Sequence, residues 1–324
     1  MRSTLTSIEP LRAVEGGRLV LHGSFATADA IPEVTIGEAA ARVCFASQHR
    51  VVVTVPGELD GGQMAVRIAD LPGETVFVSI GRTWATGLHQ VDNPACDASG
   101  SLYVTYSGPR GQESPVSIFR VTRQGTREPF ASGIVNATSM TIGPDGDLYV
   151  SSRFEGAVYR VRPGGAHEVV ASDLGVACGL AFDREGYLCV GDRSGTIFQV
   201  RDGRATAFAT LPPSVAAFHL AMSPAGDLYV AGPTLAPCDH VYRIGRDGEL
   251  TVLPFVFGRP QGLAFDSNGA LYVADALAGS SGIYRIADGL PPQLVVTGGA
   301  LIGLAFGPHD EMFVSSNETA YRFD

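Results

Sequence analysis

GLAFDSNGALYVADALAGSSGIYRI, residues 262–286, is the stretch whose pattern decides the fold. It opens with a short apolar strand, GLAF, and passes through the turn DSNGA at 266–270. A second strand begins Leu271-Tyr272-Val273, and a third reads Ile283-Tyr284-Arg285-Ile286. Aromatic and β-branched residues alternating between Gly- and Asp-bearing turns are the mark of short antiparallel strands.

The phrase recurs. Leu-Tyr-Val or a close variant begins at Leu102, Leu148, Leu188, Leu228, Leu271 and Met312, at spacings of 46, 40, 40, 43 and 41. The third strand follows each time: Ile118-Phe-Arg-Val, Val158-Tyr-Arg-Val, Ile197-Phe-Gln-Val, Val241-Tyr-Arg-Ile, Ile283-Tyr-Arg-Ile and Ala320-Tyr-Arg-Phe. The strand ahead of the turn reads GLAF at 179–182, 262–265 and 303–306, with degenerate copies HLAM at 219–222, SMTI at 139–142 and NPAC at 93–96. Outer strands follow at 128–132, 168–172, 206–210 and 293–297. Four short strands per repeat, repeated six times, predict an all-β, six-bladed β-propeller over residues 81–324.

The ring's closure is predicted as well. The sixth repeat stops at Asp324 after its third strand, so its outer strand must come from elsewhere. Thr83-Trp84-Ala85-Thr86-Gly87 aligns with Pro129-Phe130-Ala131-Ser132-Gly133, which assigns that role to a strand near 82–86 and removes the open edges.

Residues 1–80 follow another pattern. Arg18–Phe25, Glu33–Gly37, Ala41–Ala46, Val51–Pro56, Met64–Ile68 and Val76–Ile80 read as short alternating strands, which fits an immunoglobulin-like sandwich. Ile8-Glu9-Pro10, Gly17, Leu19-x-Leu21-x-Gly23-x-x-Phe25, Val34-x-Ile36-Gly37 and Val53-x-Val55-Pro56 punctuate it. This segment resembles the IPT/TIG family of immunoglobulin-like domains. The resemblance implies a spacer or docking unit, and a protein partner would act through it.

Residues 82–324 resemble the NHL and senescence-marker-protein/gluconolactonase group of six-bladed propellers. That resemblance implies a divalent cation, calcium or zinc, at the channel mouth and hydrolysis of a small polar lactone or ester. The family's Glu-Gly-Pro-x-Trp-Asp motif corresponds to Asp92-Asn93-Pro94-Ala95-Cys96-Asp97 here. Asp92 retains a carboxylate and is the candidate metal ligand. The other ligand positions carry Phe218 and Gln261, and an Asn-Asp pair is replaced by Cys178-Gly179. The implied metal site is therefore eroded, because a hard cation needs several oxygen ligands.

The charge balance narrows the partners. Lys+Arg 23 against Asp+Glu 33 gives a formal net charge of −10. A nucleic acid or an anionic membrane rewards clustered cations, so neither is expected. No apolar run approaches the length of a membrane span. The start MRSTLTSIEP lacks an apolar core, so no signal peptide and a cytoplasmic location are expected. The five cysteines, Cys44, Cys96, Cys178, Cys189 and Cys238, have no CxxC spacing and are expected as reduced thiols, mostly small core residues.

The residue ahead of each inner strand should point to the channel mouth: Asp92, Thr138, Cys178, Phe218, Gln261 and Ile302. Loops after the Leu-Tyr-Val strands add Tyr106, Arg153, Phe154, Glu155, Asp192, Arg193, Asp239, His240, Asp275, Asn317 and Glu318. Asp92, Glu155, Asp192, Arg153 and Arg193 are the catalytic candidates, with carboxylate-plus-Arg pairs on adjacent blades clamping a polar ligand or forming interblade salt bridges. Asn93, Thr138, Cys178, Phe218, His219, Gln261, Tyr106, Phe154 and Asn317 are the substrate-binding candidates. His219 replaces the Gly of its inner strand and is also expected to pack with one nitrogen hydrogen-bonded. His89, His219 and His240 with Asp92 make a zinc set by repeat position. Cys178 beside His219 is a candidate nucleophile or an inert thiol. Asp275 is expected to accept backbone N–H groups of its own loop. No GxSxG elbow or phosphate-binding loop is present. Two readings stay open: a gluconolactonase-like hydrolase, and a non-catalytic propeller binding a protein or small ligand on the same face.

Overall fold

The computed structural model describes residues 4–25, 31–69, 75–277, 279–287 and 289–324. Met1–Ser3, part of the segment on which the location was read, lie outside them. The described chain is all β. No helix is long and apolar enough to cross a membrane.

The amino-terminal strands are β1 (Thr4–Glu9), β2 (Arg12–Ala13), β3 (Arg18–Ser24), β4 (Val34–Ile36), β5 (Ala39–Ala46), β6 (Arg50–Thr54), β7 (Gly62–Ile68) and β8 (Val76–Ile80). All six strands expected from the sequence are present, and β1 and β2 join them. They order as β1-β3-β6-β5-β4-β7-β8-β2. Their apolar faces share one core that includes Leu19, Leu21, Ile36, Val51, Val53, Val66 and Val78.

After β9 (Arg82–Thr86) comes a β-propeller built from antiparallel meanders. Four of them stand alone. They are β10 (Ala95–Cys96) to β13 (Arg127–Ala131) through β11 (Leu102–Thr105) and β12 (Ile118–Val121); and β14 (Ala137–Ile142) to β17 (His167–Ala171) through β15 (Leu148–Ser152) and β16 (Ala157–Val161). Next are β18 (Ala177–Phe182) to β21 (Arg204–Thr210) through β19 (Leu188–Asp192) and β20 (Thr196–Arg201); and β22 (His219–Met222) to β25 (Leu250–Val252) through β23 (Leu228–Ala231) and β24 (Tyr242–Ile244).

A fifth free-standing sheet closes the chain on itself. β30 (Gly303–Phe306), β31 (Met312–Ser315) and β32 (Thr319–Phe323) take β9 as their outer strand, with Ala320 opposite Ala85. The remaining meander is β26 (Pro260–Phe265), β27 (Leu271–Asp275), β28 (Gly282–Ile286) and β29 (Gln293–Thr297). It does not stand alone. β2 pairs in parallel with both β8 and β29, which merges this meander and the amino-terminal strands into one 12-stranded sheet. Gly17 sits where an added Cβ would lie 2.6 Å from the Thr297 carbonyl oxygen, so this junction needs glycine.

The repeated residues are joints. Leu and Val of each Leu-Tyr-Val strand are buried between neighbouring sheets, as with Leu188 and Val190 against Val158 and Leu174. The Tyr packs edge-on against an aromatic ring of the next repeat: Tyr149 on Phe182 at 4.8 Å, Tyr229 on Phe265 at 5.1 Å and Tyr272 on Phe306 at 5.0 Å. Each such pair contributes about 0.5–1.5 kcal/mol beyond its buried area. Tyr149 also donates to the turn residue Asp145, which Arg160 of the third strand meets at 2.8 Å. The recurring Tyr, Asp and Arg are thus accounted for by assembly.

Candidate functional site

Six inner strands, β10, β14, β18, β22, β26 and β30, lie side by side in that order, and β30 returns to β10. β10 and β22 therefore face each other across the axis. Asp92 lies just ahead of β10, and His219 is the first residue of β22. Their side chains meet: His219 Nδ1 is 2.5 Å from Asp92 Oδ1. The two are 0% and 1% exposed. A carboxylate this deep needs partners. Asp92 Oδ1 accepts a second bond from the Asn93 N–H at 2.6 Å. Gln90 Nε2 donates to the Asp92 carbonyl at 3.0 Å, and Asn317 Nδ2 donates to the Gln90 carbonyl at 2.7 Å. A carboxylate oxygen only accepts, so His219 donates through Nδ1–H. His219 Nε2 and Gln90 Oε1 are buried with no partner among the described residues. Further along the inner strands, Asn93, Met140, Thr141, Leu180, Leu220 and Leu304 are among the residues lining an open funnel of about 370 Å³.

The predicted ring is mostly sealed. Thr138, Cys178 and Phe218 are buried, while Gln261 and Ile302 are half-buried. Thr138 Oγ1 donates to the Asn136 carbonyl at 2.8 Å. Cys178 Sγ donates to the Val176 carbonyl at 3.2 Å, and burial, with the nearby Asp92 charge, pushes its pKa up to about 12. It is no nucleophile in this setting. Phe218 packs where Gly232 leaves room for its ring and Gly191 for its Cβ. Asn93, a substrate-binding candidate, is committed to structure. Its Nδ2 donates to the Leu263 carbonyl at 2.9 Å and its Oδ1 accepts from the Leu304 N–H at 3.0 Å, tying β26 to β30. Asn317 is likewise held by Gln90.

The acidic candidates on the loops are also committed. Asp192 accepts from the Val176 N–H at 2.8 Å and from the Ser194 hydroxyl. Glu155 accepts from Tyr159 at 2.9 Å. Asp239 accepts from the Thr234 hydroxyl at 2.6 Å. Asp275 does bind backbone N–H groups, but those of Gly258 and Arg259 at 2.9 and 2.6 Å, in the neighbouring loop rather than its own. The expected carboxylate–arginine pairs do not form. Each acid serves a turn, which leaves the cations unopposed.

The guanidinium groups of Arg153, Arg193 and Arg110 have no ion pair or hydrogen bond among the described residues. All three line one cleft of about 240 Å³ with Asn136, Phe154, Val176 and Ala216. Asn136 builds part of it. Its Oδ1 accepts from the Gly111 N–H at 2.7 Å and its Nδ2 donates to the Ser107 and Pro109 carbonyls at 2.6 and 2.9 Å, which clamps the loop bearing Arg110. Burial lowers the Arg153 pKa, and the charges of Arg110 and Arg193 lower it further. Deeper in the mouth, His89 stacks edge-on with Tyr106 at 6.0 Å. Burial lowers the His89 pKa, and the Arg153 charge adds to the effect.

The residues present do not fit a resident cation. Among the described residues no three His, Cys, Asp or Glu side chains gather as a metal site. Asp92 Oδ1 already serves His219 and Asn93. His240 Nδ1 lies 3.0 Å from the Phe255 carbonyl, so the imidazole set also does not assemble. The cysteine reading holds in part: all five are free, yet only Cys178 and Cys189 are buried, and Cys44 and Cys238 are exposed.

Sequence reasoning missed Gln90, Arg110 and Asn136. Arg110 had a signal, since it follows a Leu-Tyr-Val strand as Arg153 does. Gln90 and Asn136 had none, because their roles lie in contacts with distant backbone. A larger cleft of about 920 Å³ lies off the axis between β1, β3, β6 and β29.

No family model and no curated protein matches the chain. Solved structures share its fold. A gluconolactonase from Xanthomonas campestris is 14% identical, with 91% of this chain and 98% of that one covered and a TM-score of 0.60. Virginiamycin B lyase from Staphylococcus aureus, in an inactive form with quinupristin, is 14% identical over 94% and 98%, with a TM-score of 0.55. An auxiliary nutrient binding protein from Bacteroides ovatus is 13% identical over 100% and 98%, with a TM-score of 0.57. At these identities the likeness is one of fold.

Proposed function

We propose that this protein binds a small polar molecule at the loop-bearing mouth of its propeller. In this reading the β26–β29 meander counts as a blade, making six, and residues 1–80 form an immunoglobulin-like domain of the IPT/TIG kind ahead of residues 81–324. The Asp92–His219 bridge carries the reading. It spans the axis at the mouth end of the inner strands and gives the mouth a floor. Above it lie His89, Tyr106, Phe154 and Arg153, a mixture of aromatic and polar groups suited to a small ligand. The full-length fold match to a nutrient-binding protein agrees with binding as the task, by analogy alone. The net charge of −10 favours neither nucleic acid nor an anionic membrane as partner. A protein partner would meet the amino-terminal domain.

A second reading is a gluconolactonase-like hydrolase of a small lactone or ester. The unpartnered His219 Nε2 favours it, because Asp92 orients the ring as a general base is oriented. A water proton would pass to Nε2 as the water oxygen bonds to the acyl carbon and the carbonyl π pair moves to its oxygen. On collapse the C–O bond to the alkoxide breaks, and the alkoxide takes the proton back from Nε2. Binding is preferred because both members of the pair are sealed from solvent.

The test is calorimetric titration of a panel of sugars, lactones and small acids into the wild type and a Phe154→Ala variant. The reading expects saturable one-to-one binding by at least one compound, weakened in the variant. Absence of binding across the panel would overturn it.

A further inference from the structure

We propose that Arg110, Arg153 and Arg193 form a subsite for the carboxylate of a small organic acid, with the acid's carbon skeleton against Phe154. This names the ligand class for the mouth and rests on the binding reading above.

Three observations meet there. First, the guanidinium groups line one cleft and have no opposing charge among the described residues. A protein with ten more acids than bases has no shortage of carboxylates to place there. Asp192 and Glu155, the acids beside Arg193 and Arg153 in the sequence, bond to Val176, Ser194 and Tyr159 instead. Second, the cluster is held together against its own repulsion. Asn136, in a left-handed conformation with φ 51°, clamps the Arg110 loop through four backbone partners. Arg153 is half-buried, where like charges repel with less screening. An oxyanion relieves that repulsion and accepts paired N–H bonds from the planar forks. Third, Phe154 lies in the same cleft, packed against Gly111 and still 54% exposed. An apolar ring beside three cations suits an anion with a carbon skeleton better than a bare inorganic one. The cleft, about 240 Å³, is of the scale of a small organic acid.

The experiment titrates benzoate, gluconate and inorganic phosphate into the protein by calorimetry, in low salt with sodium chloride matched for ionic strength. Glucose and butyrolactone serve as neutral probes. The expected result is saturable one-to-one binding of a carboxylate, more weakly matched by phosphate. Arg153→Gln should weaken it about tenfold or more, and Arg110→Gln or Arg193→Gln several-fold. Bound carboxylate should also raise the His89 pKa, because it offsets the Arg153 charge. Failure of both acids to saturate overturns the subsite. So does unchanged affinity in the triple Arg→Gln variant with wild-type circular dichroism, or phosphate binding as tightly as the better carboxylate. If the neutral probes bind and the acids do not, the anion subsite falls while the binding mouth stands; if nothing binds, both fall.

Discussion

His219 Nδ1 and Asp92 Oδ1 meet at 2.5 Å across the propeller axis, although 127 residues separate them in the chain. The bond joins the segment entering β10 to β22 on the opposite side of the ring, so it braces the ring as well as flooring the mouth. Breaking a buried pair by removing one partner leaves the other uncompensated, at a cost of about 3–5 kcal/mol. His219→Leu should therefore lower the stability by about that amount in urea unfolding at neutral pH. Replacing both residues with leucine removes the stranded carboxylate and should recover part of the loss. Equal losses in the single and double variants would show that Asp92 does not depend on His219.

His89 should titrate below 6.5, the value of an unfolded histidine. Burial is the main cause and the Arg153 charge the second. Between the folded value and 6.5 the unfolded chain binds more protons, so stability falls as pH drops through that window and is unaffected by His89 well above it. Arg153→Gln should raise the folded pKa part of the way, because burial remains. Histidine ring resonances followed by NMR across the pH range give the answer. A His89 pKa at or above 6.5 in the wild type would contradict the packing of this mouth.

The free thiols divide into two groups. Cys44 and Cys238 are exposed, while burial pushes Cys96, Cys178 and Cys189 up to about 12. Iodoacetamide near pH 8 should label Cys44 and Cys238 in the native protein and reach the other three only after unfolding. Peptide mass spectrometry reads this directly. Rapid native labelling of Cys178 would mean that the mouth opens to its floor.

Trp84, the single tryptophan, reports on ring closure. It lies in β9, with the Arg322 guanidinium 4.7 Å over its ring and Phe313 at 6.3 Å. Removing residues 319–324 deletes β32, the partner of β9. The emission of Trp84 should shift to the red and the melting temperature should fall sharply. Tyr321→Ala, a milder lesion at a residue 9% exposed, should cost about 3–5 kcal/mol. Unchanged Trp84 emission in the truncated protein would contradict the closure.

The strand pattern was legible because each repeat carries its own packing code. Leu102, Leu148, Leu188, Leu228, Leu271 and Met312 begin strands as read, and β9 pairs with β32 as the alignment of Thr83–Gly87 required. β25 escaped notice because its three residues, Leu250–Val252, are all exposed and show no alternation. The merger of the amino-terminal strands with β29 also escaped, since it rests on Ala13 meeting Thr297, far apart in the chain. At the site, repeat position found Asp92 and His219 separately but not their bond. Their residue types suit a metal site as well as a hydrogen-bonded pair, and only their opposition across the axis decides between them. The acids misled for a related reason. Asp192 and Glu155 lie at the mouth, yet the Val176 N–H and the Tyr159 hydroxyl claim their oxygens.

The most direct test of binding against catalysis is turnover of a lactone and ester panel, followed by proton release at constant pH, alongside calorimetric titration of the same compounds. The account predicts saturable binding that Phe154→Ala weakens, with hydrolysis no faster than the buffer alone. Hydrolysis above background that disappears in His219→Gln, while the variant keeps its fold, would contradict it and make the Asp92–His219 pair a catalytic base.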